Sequence, residues 1–240
     1  MKQESPLTTK LIEHMQSVAS PEKARILARF FKTGPGQYGE GDVFIGIQVP
    51  TLRAIASEYR KLVTLSDVDW LLDHQWHEVR LCALFILILM YEKALAPPQS
   101  CIELYLARLD RVNNWDLVDL SAPKLLGPWL LDKNRSLLDT LAGSGQLWRE
   151  RVAVLSTFAF IRCNDFNHTL RLAQRFLNHP HDLMHKACGW MLREIGKRDL
   201  SVLRNWLDTH QSAMPRTMLR YAMEKLPEPE RLARLKASRT

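Results

Sequence analysis

Apolar residues recur three and four positions apart along almost the whole chain, as in Leu7, Leu11, Met15 and Val18, or Leu137, Leu138 and Leu141. That is the period of a helix with one buried face. The alternation that marks a strand is nearly absent. Breaks fall at Gly34 to Gly41, Pro97-Pro98, Gly143 to Gly145, Pro180 and Pro227 to Pro229, where glycine or proline punctuates helices. Starts are marked by Ser20 before Pro21-Glu22, a cap followed by proline, and by Ser66 with Asp69, which reads as a capping box. The pattern predicts an all-α chain of short antiparallel helix pairs. Its longest apolar run, Leu81 to Tyr91, is bracketed by Arg80, Glu92 and Lys93. It falls well short of the roughly 20 residues a membrane span requires, so it reads as a buried helix.

Similar hydrophobic stretches repeat along the chain. The units run roughly from Trp70 to Lys93, Leu106 to Lys133, Leu141 to Asp165, Arg175 to Asp199 and Leu207 to Pro227. Superposing them puts Arg80, Asp119, Arg151, Lys186 and Arg216 at one place, one turn into a helix, at intervals of 39, 32, 35 and 30 residues. These intervals lie near or below the roughly 40 residues of HEAT-type units, so the expected fold is an α-solenoid of degenerate HEAT-like helix pairs. The expected organisation is a single domain over residues 1–240: capping helices and a glycine-rich loop over 1–65, helical repeats over 66–228, and a C-terminal tail over 229–240.

A solenoid aligns equivalent positions along one surface, so the shared register reads as a ribbon of cations interrupted once, by Asp119. The net charge of +7 and pI near 9.4 favour an anionic partner. Arg80, Lys186 and Arg216 are phosphate-contact candidates from the register, the plainer reading being solvated surface cations. Cys82, Cys101, Cys163 and Cys188 form no CxxC pair, which gives no reason to expect a zinc knuckle or a disulfide framework. The start, Met1 to Lys10, is polar with no apolar signal-peptide core. A cytoplasmic monomer without metal, organic cofactor, membrane or obligate protein partner is the expectation.

Three segments carry candidate chemistry. The loop Gly34-Pro-Gly-Gln-Tyr-Gly-Glu-Gly-Asp42 lacks the Gly-Lys-Ser/Thr of a phosphate-binding loop; it is either a flap near nucleic acid carrying Tyr38 or a plain turn between helices. His179, His181 and His185, with Asp182, have metal-like spacing, but a histidine and an aspartate at a helix start more simply cap it. In Asn113-Asn-Trp-Asp-Leu-Val-Asp119, Trp115 and Asp119 share one helix face, whereas Asp116 points about 100° away, toward a neighbouring helix or a cap. Such a Trp and Asp pair is ordinarily structural. Among cations that suit phosphates, however, a lone carboxylate repels the ligand unless it meets a positive charge there. Trp190, four residues after Lys186, adds a second aromatic surface to the ribbon, while Trp129, Trp148 and Trp206 read as packing.

Four stretches now make the chain recognisable: Phe44-Ile-Gly-Ile-Gln-Val-Pro50, Trp115-Asp-Leu-Val-Asp119, Trp148-Arg-Glu-Arg151 and Lys186-Ala-Cys-Gly-Trp-Met-Leu-Arg-Glu194. In this order they resemble the AlkD-type DNA alkylation-repair family of HEAT-like DNA glycosylases, from the Pro21-Glu-Lys-Ala24 region to the Pro215 to Tyr221 region. The resemblance implies a right-handed α-superhelix that wraps duplex DNA and releases N3- or N7-alkylated purines, in a bacterial cytoplasm and on the nucleoid when bound. It also implies Asp119 as the catalytic carboxylate, Trp115 and Trp190 as aromatic walls beside the lesion nucleotide, and Arg151 as a backbone or phosphate contact. Two departures stand out: Phe30 replaces a tyrosine of active relatives and loses its hydroxyl, and the loop from Gly34 to Asp42 is longer, so that Tyr38 is a candidate for the missing group. The alternative to an enzyme is a non-catalytic HEAT-like module that binds branched or damaged DNA.

Overall fold

The computed structural model describes residues 4–237; Met1 at the polar start and residues 238–240 of the expected tail lie outside them. Among the described residues the regular structure is helical apart from an isolated bridge between Val43 and Trp76. No helix there is long and apolar enough to cross a membrane. The chain divides into two compact units, one reaching to Leu117 and the other starting at Val118.

The first unit holds α1 (Pro6–Ser17), α2 (Pro21–Phe30), α3 (Val49–Tyr59), α4 (Leu65–Leu72), α5 (His77–Glu92) and α6 (Pro98–Ala107), and α7 (Trp115–Ser121) runs across the boundary. Its core is α5, the expected apolar helix, which α3 and α4 flank; nearly every side chain from His77 to Met90 is buried. Each fully buried leucine or isoleucine there contributes roughly 1.5–3 kcal/mol. Ser20 caps α2 as its spacing predicts, accepting the Lys23 N–H at 3.4 Å. The capping box of α4 lies two residues earlier than Ser66 and Asp69: the N–H and Oγ1 of Thr64 both donate to Asp67 Oδ2 at 2.7 Å. Asp69 instead pairs with Arg108 at 2.5 Å.

The segment from Phe44 to Pro50 is shaped by one buried acid. Glu78 accepts the backbone N–H groups of Ile45 at 3.0 Å, Gly46 at 2.8 Å and Ile47 at 3.2 Å. Gly46 has φ +86°, and a Cβ there would lie 2.0 Å from the Ser20 carbonyl oxygen. Only glycine fits that approach.

The second unit holds α8 (Leu126–Trp129), α9 (Ser136–Ala142), α10 (Leu147–Ser156), α11 (Phe158–Arg162), α12 (Asn167–Arg175), α13 (Asp182–Arg198), α14 (Leu200–His210), α15 (Arg216–Ala222) and α16 (Glu228–Ala237). The last of these occupies most of the stretch expected to be a tail. α13 is the hub, packed by α10, α12, α14 and above all α15. The α13–α15 crossing is close because Gly189 leaves room: a Cβ there would stand 2.5 Å from the Tyr221 Cβ and 2.6 Å from the Met218 carbonyl oxygen. Alanine would gain about 1 kcal/mol of helix propensity over glycine. Overpacking against another helix's backbone costs about 1–3 kcal/mol and wins. Gly189→Ala is therefore expected to lower the chemical-denaturation midpoint, and an unchanged or raised midpoint would contradict the close crossing.

Candidate nucleic-acid interface and reactive carboxylate

The head of α5 carries a buried charge cluster. His77, 1% exposed, holds Asp42 through Nδ1 at 3.0 Å and Asp116 through Nε2 at 2.8 Å. Asp42 also accepts the Asn114 side-chain amide at 2.8 Å and pairs with Arg80. Burial alone would lower the affinity of His77 for a second proton, but the carboxylates of Asp116 and Asp42 on its two nitrogens raise its pKa to about 9. Burial alone would likewise raise the Asp42 pKa, yet the His77 and Arg80 cations hold it below its ordinary value. Asp116 thus faces a neighbouring helix, one of the two placements its angle allowed.

This cluster corrects the reading of Arg80. The guanidinium is 2% exposed and donates to Asp42, to the carbonyls of His74 and Gln75 at 3.0 Å each, and to Asn113 at 3.3 Å. It is internal structure, out of reach of a phosphate. The loop from Gly34 to Asp42 is folded back onto the end of α2: Gly39 N–H donates to the Lys32 carbonyl at 3.2 Å, and a Cβ on Gly39 would lie 2.4 Å from the Phe31 carbonyl oxygen. With Asp42 anchored, the geometry matches a built turn. Tyr38 reaches the Phe30 carbonyl with its hydroxyl at 3.4 Å.

Aromatic rings tie this cluster to α7. His77 stacks on Phe44 at 4.4 Å, Phe44 on Phe31 at 5.0 Å, and Phe31 on Trp115 at 5.1 Å and 14°. Phe30 meets Trp115 edge-on at 6.0 Å and is itself 62% exposed, so Phe30, Tyr38 and Trp115 are brought together. The Trp115 N–H is capped by Asn114 Oδ1 at 2.8 Å.

One turn further along α7 stands Asp119. Arg151 of α10 holds it in a two-point pair, Nε to Oδ1 and Nη2 to Oδ2 at 2.8 Å each, while Nη1 donates to the Leu183 carbonyl. The side chain of Asp119 is 13% exposed and that of Arg151 5% exposed. Such fork-to-fork pairing fixes the plane of the carboxylate as well as its position. Arg151 is committed to the carboxylate, so the structure casts it as the residue that orients Asp119 rather than as a freely presented phosphate contact. Trp190 lies half-buried on α13, its indole N–H donating to Glu194 at 3.0 Å and its ring 6.3 Å from Phe158.

The remaining register cations differ from one another. Lys186 is half-exposed and pairs with Asp182 at 3.0 Å. Arg216 is exposed but is the first residue of α15 rather than one turn in, and its guanidinium donates to the Leu235 carbonyl at 2.7 Å. The histidine group is engaged within the protein: His181 caps α13 through the Leu183 N–H at 3.1 Å, His179 pairs with Glu150 at 3.0 Å, and His185 meets the His179 carbonyl at 2.6 Å.

A family model described as DNA alkylation repair enzyme matches residues 11–226. The chain belongs to the DNA alkylation repair enzyme family. The match stops short of α16. Among solved structures, a predicted DNA alkylation repair enzyme from Enterococcus faecalis is similar, with a TM-score of 0.70 and 17% identity over 88% of this chain and 97% of that one. At that identity the likeness is one of fold, and it agrees with the helical architecture expected from the repeats. No curated protein matches the chain in sequence. Membership in this repair family bears out the resemblance carried by the four sequence stretches.

Asp42, His77 and Asn114 were not singled out from the sequence. Their partners lie 35, 39 and 72 residues away, beyond any local spacing rule; the available signal was His77-Glu78 at the head of an otherwise apolar helix. The cluster sets a pH window for stability. The pKa of His77 is raised from 6.5 to about 9 in the fold, so its contribution is complete below the unfolded value and lost as pH rises through the folded one. That of Asp42, whose pKa is depressed, is present above 3.8 and lost as pH falls through its folded value. The melting temperature of the wild type is expected to fall on the alkaline side. His77→Gln should melt lower at neutral pH with a flatter alkaline slope; parallel profiles would contradict the assignment.

Proposed function

We propose that this member of the family is a DNA glycosylase that hydrolyses the N-glycosidic bond of cationic N3- or N7-alkylated purines in duplex DNA. The observation that carries the reading is a partly exposed carboxylate, Asp119, held in a fixed plane by Arg151 and one helical turn from Trp115. The basic charge of the chain supports a duplex as substrate, with Lys186 and Arg216 as phosphate contacts and with Phe30 and Tyr38 beside Trp115 at the DNA surface. No metal or organic cofactor is required.

The chemistry follows from charge. Alkylation at N7 or N3 makes the purine cationic, so the base leaves as a neutral species when the C1′–N bond breaks and takes the bonding electrons with it. The positive charge passes to the sugar in an oxocarbenium-like state. Asp119 stabilises that cation and orients a water toward C1′, whose proton is released as the new C–O bond forms. At about 4 Å and an effective dielectric near 20, opposite unit charges attract by roughly 4 kcal/mol, or about a thousandfold in rate if felt only in the transition state. Arg151 offsets part of that field, which makes the figure an upper bound, and in exchange holds the carboxylate in one orientation. Trp115 and Trp190 offer cation–π surfaces to the charged nucleotide, at about 0.5–2 kcal/mol each. Neutral purines gain much less from either effect, so selectivity needs no pocket shaped to a flipped base.

The test is single-turnover release of 7-methylguanine from methylated duplex DNA by wild type and Asp119→Asn, with duplex affinity measured for both. Release should fall by about 10²–10³-fold in the variant, with binding retained. Salt-sensitive binding by a wild type that releases no base would instead identify a non-catalytic DNA-binding member. Arg151→Ala should slow release with little change in affinity, because it loses orientation of the carboxylate; a loss confined to affinity would restore Arg151 as a phosphate contact.

A further inference from the structure

The C-terminal helix α16 is attached unlike the rest of the second unit. Among the described residues none of its side chains is fully buried, although Arg234 is only 13% exposed and Glu230 23%. Polar contacts tie it to α14 and α15. Glu230 accepts both Nε and Nη2 of Arg204, at 3.1 and 2.7 Å, and Arg234 reaches Asp208 at 2.7 Å and Gln211 at 3.0 Å. At its far end the Leu235 carbonyl receives the Arg216 guanidinium at 2.7 Å. Carbonyls in the last turn carry the negative end of the helix dipole. The two arginines that α16 holds thus meet a carboxylate and a partial negative charge, the kinds of group a phosphate would replace.

Under α16 lies a cavity of about 450 Å³ whose lining includes Lys186, Arg220, Arg231 and Leu235, together with Asp182 and Glu224. Both acids are already matched: Asp182 pairs with Lys186 at 3.0 Å, and Glu224 pairs with Arg193 and lies 3.4 Å from Lys225. Arg220 is an exposed cation at the rim. Arg204 is 42% exposed and Arg216 is exposed, and contacts to cations open to solvent are weak and screened by salt.

We propose that α16 is a displaceable cover that occupies DNA-backbone contacts in two places, with Glu230 on Arg204 of α14 and the Leu235 carbonyl, at the cavity lined by Lys186 and Arg220, on Arg216, each standing where a phosphate binds. Duplex DNA and α16 compete for the same cations, so lifting the helix and binding the backbone are one exchange. The inference rests on the DNA binding of the proposed function and is independent of base release.

The test pairs two substitutions on the same helix. Glu230→Gln breaks the contacts to Arg204 and Arg234. Glu228→Gln removes the same charge from a side chain that is 74% exposed and only 3.7 Å from Arg231. Binding of unmodified duplex at low salt should tighten about threefold more for Glu230→Gln than for Glu228→Gln, because a covered site binds in proportion to its open fraction. The difference should vanish at high salt. In the wild type, duplex should raise hydrogen exchange across residues 228–237. Equal effects of the two substitutions, or protection of 228–237 by duplex, would overturn the cover while leaving the glycosylase reading untouched. Failure of base release with the exchange and affinity results intact would overturn the glycosylase reading alone. Absence of salt-sensitive duplex binding would overturn both.

Discussion

A protonated imidazole held between two carboxylates is the constraint on which the first unit depends. Burying ions costs several kcal/mol each unless every one is paired, and removing one partner strands the other. In this cluster Asp42 and Asp116 are balanced by His77 and Arg80, and Asn114 takes a further lone pair of Asp42. The requirement reaches in two directions. Through Asp42 it closes the glycine-rich turn onto the end of α2, and through Asp116 it sets the first turn of α7, whose leading residue Trp115 ends the stacked series from His77. A neighbouring acid, Glu78, shapes the segment after the turn by gathering three backbone N–H groups.

Equivalent positions in a repeat need not share a chemical role. Arg80 is an interior ion, Arg151 a clamp on a carboxylate, Lys186 a half-exposed cation paired one turn back, and Arg216 an exposed cation held by a helix terminus. Burial and the charge opposite each side chain make the difference. The one acid in the register, Asp119, sits beside a compensating cation, Arg151, which offsets its charge while leaving part of the carboxylate accessible.

The helical class, the buried nature of the run from Leu81 to Tyr91, the cap at Ser20 and most breaks were legible in the sequence because they rest on local periodicity and on glycine and proline geometry. So was the direction of Asp116, which follows from helix rotation alone. The box at Thr64 and Asp67 was misplaced by two residues because Ser66 and Asp69 offer the same spacing, and only the extended backbone of Thr64 decides between them. The burial of Arg80 and the roles of His77 and Asp42 were not legible, because they depend on pairings across tens of residues. The helix in the last stretch was hidden by Pro227 and Pro229, which read as a stop although proline also begins helices.

In the proposed reaction selection rests on charge: Asp119 and aromatic faces would favour a nucleotide that is already cationic. The most direct measurement is the single-turnover excision rate from two duplexes of identical sequence, one carrying cationic 7-methylguanine and the other neutral hypoxanthine at the same position. Release of 7-methylguanine with little or none of hypoxanthine is expected, while the two duplexes bind with similar affinity. Comparable excision of both bases would contradict selection by charge.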